Sequence, residues 1–193
     1  NNLGMQTQRL GIVKDDLNST QQALLKATEE ADCIISSGGV SVGDADYIKT
    51  AVENLGELSL WKLAIKPGKP FSFGRVKETP FFGLPGNPVA VFVTFLMLVQ
   101  PYLLKKQGAK TIHPEKYLMP SGFEVSNGAS RQEYIRVRLQ KCLQGEQELI
   151  PFTNQGSSVM TSTSWADGLA IIPINSTIEK GDPLEFLPFT GLL

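Results

Sequence analysis

Apolar residues in the first half of the chain recur with two alternating rhythms. Arg9–Val13 has the length and character of a short strand. Behind it, Ala23, Leu24, Ala27 and Ala31 fall at helical spacing, with Asn18 or Ser19 placed to cap that helix. Cys33–Ser36 predicts a short buried strand, and a glycine-rich loop, Ser37–Asp46, follows it. Ile48, Ala51, Val52 and Leu55 mark one face of a second helix that ends at Gly56. Leu58–Ile65, Phe71–Val76 and Phe81–Leu84 predict three further strands. Val89–Val99, broken only by Thr94, predicts a buried helix opened by Asn87 as cap and Pro88 at its first position. That run is well short of the ~20 residues that span a bilayer. Helices set between short buried strands predict an α/β domain in three layers, its sheet mostly parallel and covered on both faces.

The rhythm changes after Gly108. His113 and Pro114 mark a linker, and helical periodicity stops. Tyr134–Leu139 alternates, and Leu149–Phe152, Leu169–Ile174 and Leu184–Phe189 are strand-like runs bounded by Gly, Pro and Asn turns. This half is expected to be a small all-β domain, a barrel or compact sandwich. The expected division is residues 1–110 for the α/β domain and 114–193 for the β domain.

Composition narrows the chemistry. The chain has 193 residues, 41% hydrophobic and 19% charged, with a net charge of −1, an ordinary soluble globular balance. Nothing in that balance favours nucleic acid or an anionic membrane, so any anion must be held by a local cluster. Cys33 and Cys142 lie far apart without metal-ligand spacing, and a reduced, cytoplasmic compartment fits. The single histidine, His113, sits in the linker, which argues against a Ser-His-Asp or Cys-His triad and against a His-rich zinc site. Neither a Walker-type phosphate loop nor a Gly-x-Gly-x-x-Gly follows a strand. The chain opens on Asn1 and has the look of a piece of a longer polypeptide.

Three loops concentrate Gly, Ser, Asp, Lys and Pro. The first, Ser36-Ser37-Gly38-Gly39-Val40-Ser41-Val42-Gly43-Asp44-Ala45-Asp46, joins a strand to a helix, where open α/β sheets bind ligands. Its glycines permit close approach, helix-start N–H groups favour phosphate, and Asp44 and Asp46 are oxygen donors suited to Mg²⁺. An ordinary turn with a capping Asp explains the same residues. The second, Lys62 to Lys69 followed by Pro70, places Lys62 and Lys66 on one side of a strand if it is extended, with Lys69 across a Pro-Gly turn. Such a cluster suits an oxyanion; a solvated strand face is the plain alternative. The third, Gly83-Leu84-Pro85-Gly86-Asn87-Pro88, is again a strand-to-helix turn.

Together these loops resemble the signature loops of the bacterial molybdopterin molybdenumtransferases, in the same order and spacing. Gly11-Ile12-Val13-Lys14-Asp15-Asp16 fits the same pattern. The resemblance covers essentially the whole chain. It implies a molybdopterin-binding α/β domain followed by a β-barrel, with further N-terminal domains and the α/β domain's first strand and helix lying outside these residues. It implies a homodimer that transfers molybdate into adenylylated molybdopterin and releases AMP, assisted by Mg²⁺ or Zn²⁺. Asp46 and Asp15 then become the catalytic carboxylates, and Asp46 with Asp44 the metal ligands. Ser37, Gly38, Gly39, Ser41 and Gly43 contact the pterin phosphate, with Lys66, Lys69, Pro85, Gly86, Asn87 and Pro88 completing the substrate site. Lys66, Arg136, Ser157 and Ser158 match positions associated with molybdate, although Arg136 by itself reads as an exposed strand cation. One departure is Ala90, where the family often has Ser, so one hydroxyl is lost at the pocket edge. An adenylyltransferase of the same pathway, a non-catalytic pterin-binding module and a related pyrophosphatase domain remain as alternatives.

Overall fold

The structure, a computed structural model, describes residues 3–38, 47–142 and 145–190. It divides into two compact units, one of Asn1–Leu63 with Gly68–Phe95, the other of Ala64–Pro67 with Leu96–Leu193.

In the first unit the chain runs through α1 (Leu17–Glu30), β1 (Ile34–Ser37), α2 (Tyr47–Leu55) and β2 (Gly56–Lys62). After β3 (Ile65–Lys66), which belongs to the second unit, come β4 (Pro70–Val76), β5 (Thr79–Leu84) and α3 (Pro88–Thr94). The sheet order is β1-β5-β4-β2. β1 pairs with β5 in parallel, while β5 with β4 and β4 with β2 are antiparallel. The sheet is therefore mixed, where the sequence pattern predicts mostly parallel pairing. The link between β4 and β5 explains the difference. Only Lys77 and Glu78 separate the paired Val76 and Thr79, and so short a link allows only a hairpin. Lys77 turns the chain at φ 49.

Two other sequence expectations shift. Asp16, rather than Asn18 or Ser19, caps α1: its carboxylate accepts the Ser19 N–H at 2.8 Å and the Ser19 hydroxyl at 2.9 Å. Arg9–Val13 joins no sheet among the described residues, and Leu10, Ile12 and Val13 are exposed. An apolar run becomes a strand only when a neighbour takes its backbone groups, and here none does.

Helices α1 and α2 supply Leu24, Ala27, Ala51 and Val52 to a core completed by Ile34, Val76 and Phe81 of the sheet. The alternate residues Phe82 and Leu84 of β5 are also buried, as are Phe71 and, in α3, Val89, Ala90 and Val93. Each fully buried Phe or Leu contributes about 2–3 kcal/mol.

The helical run continues through a π turn, Phe95–Val99, into α4 (Gln100–Lys106). Pro101 lacks the N–H that would bond the Met97 carbonyl, which accounts for the irregular turn. By length and composition alone the run 88–106, at mean hydropathy 1.6, is able to cross a membrane, but half of it is buried within the protein. Val89, Val93, Leu96 and Val99 are at most 1% exposed, as in a core helix.

The second unit holds β6 (Tyr117–Pro120), β7 (Gln132–Lys141), β8 (Gln147–Pro151), the short helix α5 (Thr161–Trp165), β9 (Gly168–Ile172) and β10 (Pro183–Pro188). Strands β8, β7, β9, β10 and β6 follow one another through four antiparallel pairings. Four reversals leave the first and last strand pointing the same way, so a closing pair must be parallel. The parallel bridge between Ser121 and Leu149 closes the circuit, reinforced by the Gly122 N–H donating to Leu149 O at 2.9 Å. The barrel interior contains Val137, Leu149, Ala170, Ile172, Leu184 and Phe186, one or more from each of four strands, with Met119 of β6 packed against them. β3 adds two residues beside β7, Ile65 opposite Gln132 and Lys66 opposite Glu133.

Candidate functional site

The parallel pair β1/β5 brings two of the three singled-out loops together. Ser37 lies in register with Leu84, and the Gly38 N–H donates to Leu84 O at 3.1 Å. Gly38 adopts φ 83, a left-handed conformation that suits glycine. A Cβ built on Gly86 would rest 3.8 Å from Gly38 Cα, so the backbones of the two turns are neighbours. Each turn leads toward a helix at the C-terminal edge of its strand, the place where open α/β sheets hold ligands. Pro85 is buried, whereas Ser37, Gly86, Asn87 and Pro88 are exposed. Asn87 occupies the cap position of α3 without a side-chain cap bond, and Pro88 is at the helix start as the sequence predicts.

Asp15 is exposed and lines a cavity of about 940 Å³ together with Leu24, Ser36, Ser37, Gly38 and Tyr47. Its neighbour Asp16 is committed to the helix cap, so Asp15 is the carboxylate of that pair left for a ligand. Gly39, Ser41, Gly43, Asp44 and Asp46 lie outside the described residues. Among the described residues no three His, Cys, Asp or Glu side chains gather to hold a metal.

The lysines do not share one strand. β2 ends at Lys62, and the Leu63 N–H donates to Lys69 O at 3.0 Å, closing off residues 64–68 as an excursion. Ala64–Pro67 belong to the second unit, where Ala64 O accepts the Gln132 N–H at 2.9 Å and Lys66 faces Glu133. The expectation of Lys62 and Lys66 on one extended face is thereby overturned, because the ladder to β7 draws Lys66 into another sheet. Lys66 Nζ forms an ion pair with Glu133 at 2.8 Å. Lys69 is exposed and, among the described residues, forms no ion pair.

Arg136 is not the exposed cation that its alternating strand suggests. It is 1% exposed. Its Nε donates to Ser162 Oγ at 3.1 Å, Nη1 to Tyr134 O at 3.4 Å and Nη2 to Gly156 O at 3.1 Å. All three acceptors are neutral. Burial pulls the guanidinium below its ordinary value, far from enough to discharge an arginine at neutral pH. Gly156 is followed by Ser157, half-buried, and Ser158, exposed, so three of the residues linked to molybdate by resemblance lie around one turn.

Comparison with known proteins agrees with both halves of this geometry. Residues 1–105 match the family model described as "Probable molybdopterin binding domain", which covers more than half of the chain. The chain belongs to the molybdopterin-binding domain family. Residues 119–189 match a second model, the MoeA C-terminal region (domain IV). A molybdopterin molybdenumtransferase of Haemophilus influenzae is 35% identical over 186 residues, which cover 95% of this chain and 46% of that protein. Another protein of that name, from Nostoc, is 40% identical over 130 residues, 65% of this chain and 30% of the relative. The solved structure of a molybdopterin biosynthesis MoeA protein from Pyrococcus horikosii superposes with a TM-score of 0.74 at 32% identity, covering 93% of this chain and 42% of that one. The chain thus spans about half the length, or less, of the relatives it matches.

For a molybdopterin-binding family member, several residues that matter here escape the sequence patterns. Gln155 and Ser162 hold Arg136, and Glu133 pairs with Lys66. Gln155 directly precedes the Gly156-Ser157-Ser158 turn, but nothing in the local pattern marks its amide as a partner of β7. Nothing local links Ser162 to Arg136, which lies 26 residues before it.

Proposed function

We propose that this chain carries the substrate-binding half of a molybdopterin molybdenumtransferase, which transfers molybdate into adenylylated molybdopterin with release of AMP in molybdenum cofactor biosynthesis. The observation that carries this reading is the paired edge of β1 and β5. It sets Ser37 and Gly38 against Gly86, with Ser37, Gly38 and Asp15 lining one cavity, in a chain that continues into a domain IV barrel.

In this reading the pterin phosphates lie over the Gly38 turn, where backbone approaches closely, and Gly39, Ser41 and Gly43 extend that contact. Pro85, Gly86, Asn87 and Pro88 form the opposite wall. Asp46 holds the metal or positions the water at the phosphoanhydride, and Asp15 is the second carboxylate there. Lys66 and Lys69 supply positive charge to the anionic substrates, and Arg136 with Ser157 and Ser158 holds molybdate. Asp44 and Asp46 offer the hard oxygen donors that Mg²⁺ takes, a set that fits Mg²⁺ better than Zn²⁺. When bound, that ion would neutralise phosphate charge. A homodimer working in the cytoplasm completes the proposal. The domain IV match disfavours an adenylyltransferase, which lacks a β-barrel tail.

Titration calorimetry tests the reading. The chain should bind adenylylated molybdopterin, and Asp15→Asn should lower AMP release, in a longer form that turns over, far more than it weakens pterin binding, because a carboxylate acting at the anhydride contributes mainly in the transition state. Absence of pterin binding to the chain would sink the proposal.

A further inference from the structure

We propose that Gln155 and Ser162 are positioning residues for an oxyanion at Arg136, fixing its guanidinium and the Gly156–Ser158 turn as one rigid cradle. The inference rests on the reading that Arg136 serves molybdate, but it is carried by contacts which that reading does not use.

A guanidinium has five N–H donors, and Arg136 gives three of them to neutral oxygens. A buried positive charge whose hydrogen-bond acceptors among the described residues are neutral gains from an anion. Orientation then decides which anion fits. Ser162 uses its one hydroxyl twice, donating to Val159 O at 2.6 Å and accepting Arg136 Nε at 3.1 Å. The guanidinium cannot rotate without losing that bond.

Gln155 holds the turn. β8 ends at Pro151, paired with Val137, and the Phe152 N–H reaches Arg136 O at 2.9 Å. Beyond that point the Gln155 side chain takes the place of a strand neighbour. Its Oε1 accepts the Arg136 N–H, and its Nε2 donates to Arg136 O and to Phe152 O, each at 2.9 Å. The next residue, Gly156, offers its carbonyl to Arg136 Nη2. Two side chains thus tie the charged group and the serine-bearing turn to the same stretch of β7.

The test uses the 193-residue chain, inorganic molybdate and inorganic sulfate in titration calorimetry, with thermal unfolding followed alongside. Arg136→Lys reports on the oxyanion reading itself. Ser162→Ala and Gln155→Ala are each expected to weaken molybdate about ten-fold, the effect of one hydrogen bond to a charged group. They should also shrink the preference for molybdate over sulfate, which a loss of general stability would not change. Ser162→Thr, which keeps the hydroxyl, should restore both. If Ser162→Ala fails to fold, Ser162→Cys, a poor acceptor of similar size, replaces it with the same expectation. Failure of the parent chain to bind molybdate, or indifference to Arg136→Lys, overturns the oxyanion reading and this inference with it. Sensitivity to Arg136→Lys with unchanged affinity in the Ser162 and Gln155 variants overturns the positioning role alone. Weaker binding at an unchanged molybdate-to-sulfate ratio does the same.

Discussion

Lys66 Nζ sits 2.8 Å from Glu133 Oε1, and the two residues face each other where β3 pairs in parallel with β7. Glu133 is 17% exposed and Lys66 51%, so water screens the pair from one side and it contributes at most about 1 kcal/mol. Its larger effect is to occupy the ammonium group. Glu133→Gln is expected to change stability by less than about 1 kcal/mol and to tighten binding of anionic ligands. The gain should fade as salt rises, since it is electrostatic. Unchanged affinity at low ionic strength would remove Lys66 from the binding site.

Arg136 should be far more sensitive than Arg138, the exposed arginine two residues on. Arg136→Met leaves Gly156 O, Tyr134 O and Ser162 without a buried donor, at a cost of about 2–4 kcal/mol. Arg138→Met also removes hydrogen bonds to Trp165 O, but these are solvent-exposed, and about 1 kcal/mol or less is expected. Urea denaturation compares the two; equal losses would contradict the neutral-acceptor account of Arg136.

The two neighbouring glycines should respond differently to alanine. Gly38 stands at φ 83, so Gly38→Ala is expected to cost about 1–2 kcal/mol in backbone strain. Gly86 is exposed, has no left-handed φ, and its added methyl would meet Gly38 Cα only at 3.8 Å. Gly86→Ala should therefore be nearly silent in thermal unfolding, while still crowding the turn in pterin titrations. A larger loss of stability at Gly86 than at Gly38 would contradict the geometry.

Asp16 gives α1 an acid-sensitive end. The Ser19 backbone N–H, then the Ser19 hydroxyl, hold its carboxyl below the ordinary carboxylate value. A folded value below the unfolded one means stabilisation present above the ordinary range and lost as pH falls through the folded value, below about pH 4. Amide exchange at Ser19 and Thr20 should quicken over that window. Asp16→Asn, which can still cap but cannot titrate, should flatten the response. A parent and variant with the same acid profile would count against the cap.

The segment between α4 and β6 is expected to be open to protease, although the two compact units divide earlier, between Phe95 and Leu96. Residues 107–116 form neither helix nor strand, and Lys110 and Lys116 are exposed. Brief trypsin treatment should cut there first. Earlier cutting inside the β5–α3 turn, or at Arg131, would place the weak point elsewhere.

The sequence alone determined the periodic parts of this protein. Leu24, Ala27, Ala51 and Val52 announce α1 and α2, because helical spacing is a local property and those side chains face one core. The loss of that rhythm after Gly108 marked where the strands β6–β10 begin, whereas the compact units divide at Phe95/Leu96, inside one continuous apolar run. The turns at Gly38 and Gly86 were visible as composition. Their contact was not, since it depends on which strand lies beside β1 and in what register, a choice made among strands 47 residues apart. Direction was equally hidden, because an apolar run looks alike whether its neighbour is parallel or antiparallel. Lys66 appeared to continue β2 until the ladder to β7, over 60 residues away, claimed it for another sheet. Arg136 shows the limit most clearly. Alternation correctly set it on the opposite face from Ile135 and Val137, yet it could not tell what covers that face. Burial there comes from the 155–162 segment folding back, and only the tertiary structure brings those oxygens within reach of the guanidinium.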